Sequence, residues 1–266
     1  MGLSIRYLGL IMLTAALPLA AQAAPASRYS MEVLTELSCD QAVARLNEGL
    51  DAKDVEAMYA GGQMYDEGWC VKRDATRMAQ LWRAAADAGH SPSAAALALK
   101  IGQGDGVAQD YAAAGELLKK AGLKVGEADF PDAYSFGYAF TWLRTTQREL
   151  RSSKELASSG AQGLADVEFD TKRGAAQVVT FRRTDGGEAP VGTRIDRSRS
   201  VVRLALTAAA EAAVAKLSKP DPSRLADVRF KEQFAIAPGA DYESRDLGSR
   251  IGPAGILMRT GPVFRN

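Results

Sequence analysis

The spacing of apolar residues divides the chain into a helical first half and a mixed second half. Between residues 55 and 122, apolar residues recur every three or four positions, which is the period of amphipathic helices. From about residue 165 the period shortens to two in several segments, which is typical of strands. The pattern therefore predicts an α+β protein of two domains, the first of them helical.

Four helices in the first half have recognisable ends. Asp74 and Asp110 each precede an apolar helical stripe, and an aspartate in that position accepts hydrogen bonds from the free N–H groups of the first turn. Glycines close the helices, because glycine adopts the left-handed conformation of a helix C-cap without strain. The predicted helices are Val55–Glu67 closed by Gly68, a segment from Asp74 to Gly89, a segment from Ser91 to Ile101, and Tyr111–Lys120 closed by Gly122.

The helical half repeats itself at an offset of 36 residues. When the offset is applied backwards Asp74 falls on Ser38, so a partial unit precedes two complete helix–loop–helix units. One helix pair cannot bury its apolar face alone, and units of this kind therefore stack into a solenoid. The equivalent residues of the two complete units include Gly68 and Gly104, Asp74 and Asp110, and Trp82 and Leu118.

The second half begins with a long helix and continues with alternating segments. Ala133–Leu150 is predicted to cap the helical domain, which spans residues 38–150. Residues 151–164 are predicted as a linker, 165–237 as a small domain of order strand, strand, helix, strand, and 238–266 as an extended or disordered tail. The predicted elements of the small domain are the strand Ala176–Arg183, a turn at Asp185–Gly187, the strand Pro190–Asp196, the helix Val201–Leu217 and the strand Ala226–Ile236.

The first 23 residues have the pattern of an export signal, 1–23. A positive residue, Arg6, precedes an apolar run of 14 residues, and Ala21-Gln22-Ala23 matches the small-x-small cleavage pattern. The run is shorter than the roughly 20 apolar residues of a membrane span. The sequence therefore predicts a periplasmic protein with a cleaved signal. The alternative is an uncleaved anchor in the inner membrane, and contact with a membrane is expected only in that case.

Two cysteines, Cys39 and Cys70, follow the signal. An even number of cysteines in an exported chain predicts one disulfide. A metal site is disfavoured, because the single histidine, His90, and two cysteines at these spacings match no zinc pattern.

The charge balance argues against nucleic-acid binding. The chain has 33 basic and 32 acidic residues, and the basic cluster at 194–203 is interrupted by Asp196 and contains no aromatic residue. No serine or cysteine has an evident base, and the glycine-rich segment 102–106 lacks the Lys-Ser/Thr of a phosphate-binding loop. The sequence thus predicts no catalytic site, no cofactor and no bound metal.

The repeated motif resembles the SEL-one-like repeat, a tetratricopeptide-type α/α solenoid unit. That family combines a helix of small residues, a glycine loop, an aspartate and a second helix with the pattern Ala-x-x-Trp. The resemblance covers about residues 38–123 and implies work as a protein–protein adaptor or scaffold. Its signature residues here are Gly68, Asp74, Trp82, Gly104 and Asp110.

The same resemblance gives the two cysteines a geometry. Cys39 opens the second helix of the partial unit, and Cys70 occupies the loop before the second helix of the next unit, where the family has glycine. Stacked units bring these two regions side by side, and exported members often carry disulfides between adjacent units. The resemblance therefore implies that a Cys39–Cys70 bond joins neighbouring units.

The order of elements in 165–237 resembles the carboxy-terminal domain of TonB-type energy transducers. The chain departs from that family in its cleavable amino terminus, and in having a repeat array in place of a Pro-rich spacer. The resemblance implies a binding surface at an exposed strand edge, where a partner segment adds a strand through backbone hydrogen bonds. The matching segments are Gly174–Phe181, Asp185–Gly187, Ile195 with Ser198–Ser200, and Lys219-Pro220. The candidate edge is the last strand, at Arg229, Lys231, Gln233 and Ala235.

These observations together predict a non-enzymatic periplasmic interaction protein whose partners are other periplasmic or outer-membrane proteins. One alternative is a membrane-anchored energy transducer that serves outer-membrane transport. A second alternative is an exported cell-wall or β-lactam hydrolase, as has been suggested for some exported members of the repeat family. That alternative requires a nucleophile with a base.

Overall fold

The computed structural model describes residues 27–126, 128–161, 163–183 and 194–236. Helices pack around a small antiparallel sheet, so the chain belongs to the expected α+β class. The helices are α1 Met31–Leu34, α2 Cys39–Asp51, α3 Val55–Glu67, α4 Ala75–Asp87, α5 Ser91–Gln103, α6 Tyr111–Lys120, α7 Ala133–Arg151, α8 Lys154–Ser159 and α9 Arg194–Lys216. The strands are β1 Gly163–Asp170, β2 Ala175–Arg183 and β3 Arg229–Ile236.

Three predicted features fall outside the described residues. They are the signal at 1–23, the turn at Asp185–Gly187 and the tail at 238–266. Within the described ranges, no helix is both long enough and apolar enough to cross a membrane.

The helices predicted in the first half are confirmed to within a few residues. α3 and α6 have the predicted bounds, and α7 ends one residue later than predicted. α5 continues through Gly102 and Gln103, so the turn begins at Gly104 rather than at Gly102. Gly102 lies against α7, where an added Cβ would come within 1.9 Å of the Thr141 hydroxyl oxygen. The glycine at 102 therefore serves helix packing and not the turn.

The 36-residue repeat is present in the backbone as well as in the sequence. Ser38, Asp74 and Asp110 are all N-caps, and each side chain accepts the N–H of the third residue beyond it. Gly68 and Gly104 both end a helix in the left-handed conformation, with φ of 71° and 69°. The same local chemistry therefore recurs at the same place in each unit.

α7 lies between the helical repeats and the sheet. On the repeat side it approaches α6 so closely that a Cβ on Gly115 would lie 1.8 Å from the carbonyl oxygen of Ala133. On the sheet side Trp142 packs edge-on against Phe169 of β1, with ring centroids 5.0 Å apart. One continuous set of buried residues therefore extends from α4 through α7 to the sheet and α9. The predicted linker, 151–164, contains α8 and the first residues of β1.

The sheet has the strand order β2-β1-β3, and both pairings are antiparallel. Along β1, buried residues alternate with half-buried ones, so one face of the strand belongs to the core. The core residues of β1 are Ala165, Val167 and Phe169. The opposite face carries Asp166 and Glu168 towards solvent.

Two details of the predicted small domain are wrong. The first strand, Gly163–Asp170, was assigned to the linker and the domain border, although it alternates as a strand should. The predicted strand Pro190–Asp196 is wrong at its last three residues, because Arg194–Asp196 forms the first turn of α9, and 190–193 lie outside the described residues. Once the alanine-rich part of α9 has formed, each residue added to the helix gains a backbone hydrogen bond without a neighbouring strand. The strands Ala176–Arg183 and Ala226–Ile236 are confirmed, with bounds of Ala175–Arg183 and Arg229–Ile236.

Candidate functional site

Within the described residues β3 pairs on one side only, with β1. The N–H of Thr171 donates to the carbonyl of Val228 at 3.1 Å, and the register continues through Asp170 opposite Arg229. Hydrogen-bonded pairs alternate along an antiparallel ladder, so the even-numbered residues of β3 bond to β1. The odd-numbered residues turn their N–H and C=O groups away from β1. They are Arg229, Lys231, Gln233 and Ala235, the four residues selected from the sequence.

The solvent-facing side of the sheet carries three polar pairs between β3 and β1. Cross-strand pairs of opposite charge stabilise a sheet modestly and leave little net charge on its surface. Arg229 and Lys231 are more than half exposed at their side chains, at 58% and 64%. The pairs are Arg229 Nε with Asp170 Oδ2 at 3.3 Å, Lys231 Nζ with Glu168 Oε2 at 3.9 Å, and the amide of Gln233 donating to Asp166 Oδ1 at 2.8 Å.

Asp166 is the centre of this polar face. It accepts hydrogen bonds from the Thr180 hydroxyl on β2 and from Gln233 on β3, and Arg182 lies 3.7 Å away. These hydrogen bonds lower the pKa of Asp166, the one from Thr180 most, and so keep its carboxylate charged. The carboxylate joins all three strands on the side opposite the core.

The other side of β3 belongs to the core. Phe230, Phe234 and Ile236 are buried. Phe230 stacks on Phe169 of β1 with ring centroids 4.9 Å apart. A partner that adds to this strand therefore meets its backbone and the polar face rather than its apolar side chains.

The segment after α6 approaches the outer edge of β3. Gly126 donates its N–H to the buried carboxylate of Glu232 at 2.6 Å. A Cβ on Gly126 would lie 2.7 Å from the carbonyl oxygen of Lys231, and its φ of 55° also favours glycine. The outer edge is thus covered locally at Lys231. A partner strand has the least to displace along Gln233 and Ala235.

The predicted disulfide is present between Cys39 at the start of α2 and Cys70 in the α3–α4 loop, with Cα atoms 5.0 Å apart. Cys70 has a φ of 58°, a left-handed conformation that is uncommon for residues other than glycine. The residue 36 positions later is Gly106, with a φ of 76°. A cysteine therefore occupies the position that glycine holds in the next unit.

A buried lysine links the end of α3 to the loop after α5. Lys100 of α5 is 8% exposed at its side chain, and its ammonium lies 2.7 Å from Asp66 and 2.6 Å from Asp105. Arg73 reaches the same carboxylate of Asp105 at 3.2 Å. The hydrogen bond from Lys100 lowers the pKa of Asp105, and the charge of Arg73 acts in the same direction. The sequence analysis missed this cluster, although a lysine inside the apolar run 94–101 is a visible signal.

His90 has partners that the sequence did not reveal. Its Nδ1 lies 2.8 Å from the hydroxyl of Ser93, and its Nε2 lies 3.3 Å from the carboxylate of Glu56. Serine, histidine and glutamate can form a nucleophilic set, but Ser93 is fully buried, and a substrate has no access to its hydroxyl in this conformation. Burial lowers the pKa of His90, against the opposing charge of Glu56. The set is built as a packing contact between α3 and α5.

No group of three or more His, Cys, Asp or Glu side chains in the described ranges is arranged to hold a metal ion. The chain matches no protein-family model, no curated protein and no solved structure at a significant level.

Proposed function

We propose that this protein is an exported, non-enzymatic interaction protein that binds an extended segment of a periplasmic or outer-membrane partner along β3. The observation that carries the proposal is the row of outward-facing backbone groups at Arg229, Lys231, Gln233 and Ala235, of which Gln233 and Ala235 lie beyond the segment that covers the edge at Lys231. A sheet edge of this kind binds an extended chain through the same hydrogen bonds that join strands within a sheet.

Three further features support the proposal. The disulfide is typical of an oxidising compartment, which agrees with an export signal at 1–23. The 36-residue helical repeat is consistent with a SEL-one-like array, a class of adaptor. The element order of the small sheet, with a helix between β2 and β3, is consistent with a TonB-type carboxy-terminal domain. Binding by such a domain does not require that this chain transduce energy.

A single proline substitution tests strand addition directly. Gln233→Pro removes the outward N–H and leaves the ladder to β1 intact, because proline is tolerated on an edge strand whose N–H faces outwards. Gln233→Ala is the matched control: it also loses the side-chain bond to Asp166, but it keeps the N–H. A photoreactive amino acid in place of Lys231 should crosslink to the partner in the periplasm. The same amino acid in place of the exposed Arg83 on α4 measures nonspecific crosslinking.

The expected result is a crosslinked species from Lys231 that is absent from Arg83, persists in Gln233→Ala and is lost in Gln233→Pro. Equal crosslinking in the proline and alanine variants would show that the backbone of β3 is not the binding edge.

A further inference from the structure

The first two helices form a small unit with a core of its own. Residues of α1 and α2 pack against α3, and this cluster is separate from the main core around α7. The cluster consists of Tyr29, Met31, Leu34, Ala42 and Leu46, packed on Ala57, Ala60 and Met64.

The unit is attached at both ends of α2. At the carboxy-terminal end, Asp54 donates its N–H to the carbonyl of Gly49 at 2.9 Å, and Lys53 adopts a φ of 53° in the connecting turn. At the amino-terminal end the attachment is the Cys39–Cys70 disulfide. Without that bond, α1 and α2 are held only by the turn at 52–54 and by their apolar packing on α3.

The disulfide is accessible to chemical attack. Cys39 is an exposed residue at the first position of α2, and Cys70 is half-buried in the loop. A thiolate must reach a disulfide sulfur to exchange with it, so exposure of Cys39 is the geometric condition for reduction.

We propose that the Cys39–Cys70 bond is a redox-sensitive latch, whose reduction releases residues 27–53 from α3 while the remainder of the fold persists. The reductant is a dithiol. One of its thiolates attacks a sulfur of the pair to form a mixed disulfide, and its second thiol then displaces the remaining sulfur. Two electrons and two protons pass to Cys39 and Cys70, which become thiols, and the dithiol leaves as a disulfide.

The size of the effect follows from chain entropy. The two cysteines are 31 positions apart, and opening that loop restores conformations that the crosslink denies to the open state. For a loop of this length, reduction is expected to raise the open population of the unit by about 10²- to 10³-fold. The opening uncovers the apolar residues Ala57, Ala60 and Met64 of α3.

Hydrogen exchange of the purified full chain, with and without dithiothreitol, tests the latch. The backbone amides of Ala42 and Leu46 in α2 report opening of the unit, and that of Trp142 in α7 reports the main core. The expected result is a fall of about 10²- to 10³-fold in protection at the α2 amides on reduction, with no change at Trp142. Unchanged protection in α2, or an equal loss in α7, would overturn the proposal.

Two double variants separate the crosslink from the backbone strain. Cys39→Ser with Cys70→Ser should match the reduced protein, and dithiothreitol should no longer affect it. Cys39→Ser with Cys70→Gly should also be insensitive to dithiothreitol, with α2 protection above that of the serine pair, because glycine accepts the left-handed conformation. Protection in the serine pair equal to that of the oxidised wild type would show that the bond does not hold the unit.

Discussion

Trp142 of α7 donates its indole N–H to the backbone carbonyl of Ala210 on α9, at 3.2 Å. The same side chain is fully buried and meets Phe169 of β1 edge-on. A single residue of α7 therefore contacts both α9 and the central strand of the sheet. The helical repeats and the sheet share one interior at this point.

A shared interior predicts cooperative unfolding. The oxidised protein should show one urea transition when it is followed by far-ultraviolet circular dichroism and by tryptophan fluorescence, with coincident midpoints. Trp142→Phe should lower the free energy of unfolding by about 1–3 kcal/mol, since it loses packing volume and a hydrogen bond. Trp69→Phe, at a half-buried loop position, is the control and should have the smaller effect. Two separated transitions would contradict the shared core.

The approach of α6 to α7 depends on the absence of a side chain at Gly115. A Cβ there would lie 1.8 Å from the carbonyl oxygen of Ala133, so Gly115→Ala should force the helices apart and cost roughly 2 kcal/mol or more. Gly122→Ala is the comparison: its φ of 67° disfavours alanine, but no atom lies within 4 Å of the added Cβ. That variant should lose only about 1 kcal/mol. Urea unfolding measures the loss of stability in each variant. A larger loss in Gly122→Ala than in Gly115→Ala would contradict the prediction.

Two lysine–aspartate pairs of similar length differ mainly in exposure. Lys100 lies 2.6 Å from Asp105 and is 8% exposed at its side chain, whereas Lys120 lies 2.8 Å from Asp87 and is 65% exposed. Lys100→Met should cost about 3 kcal/mol, because it removes the buried cation between Asp66 and Asp105 and leaves them only the exposed guanidinium of Arg73. Lys120→Met should cost much less, because both members of that pair are exposed to solvent. Thermal or urea unfolding of both variants measures the difference, and similar losses would show that burial is not decisive here.

Asp105 predicts a specific pH dependence. Its pKa in the folded protein is lowered, chiefly by the hydrogen bond from Lys100, so the charged form favours folding. That contribution is present above the ordinary aspartate pKa of about 4, and it is lost as the pH falls through the lower folded value. Asp105→Asn should therefore be less stable than the wild type at pH 7, and the difference should shrink as the pH falls below about 4. Melting temperatures from pH 7 to pH 3 measure this, with exposed Glu36→Gln as the control.

Local signals in the sequence were sufficient to predict the helices of the first half. They were also sufficient to predict which side chains of β3 face away from the core. The caps at Asp74 and Asp110 and the glycine at 68 fix helix ends through the backbone of their own turn. Alternation alone also places the side chains of Arg229 and Lys231 opposite the core. Their outward-facing backbone, however, follows from the pairing with β1, which the sequence analysis did not identify as a strand.

The contacts between distant segments could not be predicted from the local pattern of residues. Period and composition describe one face of α7, but they do not say that Trp142 meets Phe169, 27 residues later in the chain. The ion pairs of Lys100 and the partners of His90 likewise join separate helices, which the sequence analysis did not place against each other. The strand prediction for Pro190–Asp196 was wrong at Arg194–Asp196, because the alanine-rich helix α9 extends through these residues.

Cys70 affects the chain differently before and after its bond forms. As a free thiol, it makes the left-handed turn less favourable than the glycine that occupies this position in the next unit. As half of a disulfide, it stabilises the folded chain by closing the loop between Cys39 and Cys70. A cysteine at this position therefore makes the folded state less stable under reducing conditions and more stable under oxidising conditions. Completion of the amino-terminal unit therefore depends on oxidation of the cysteine pair.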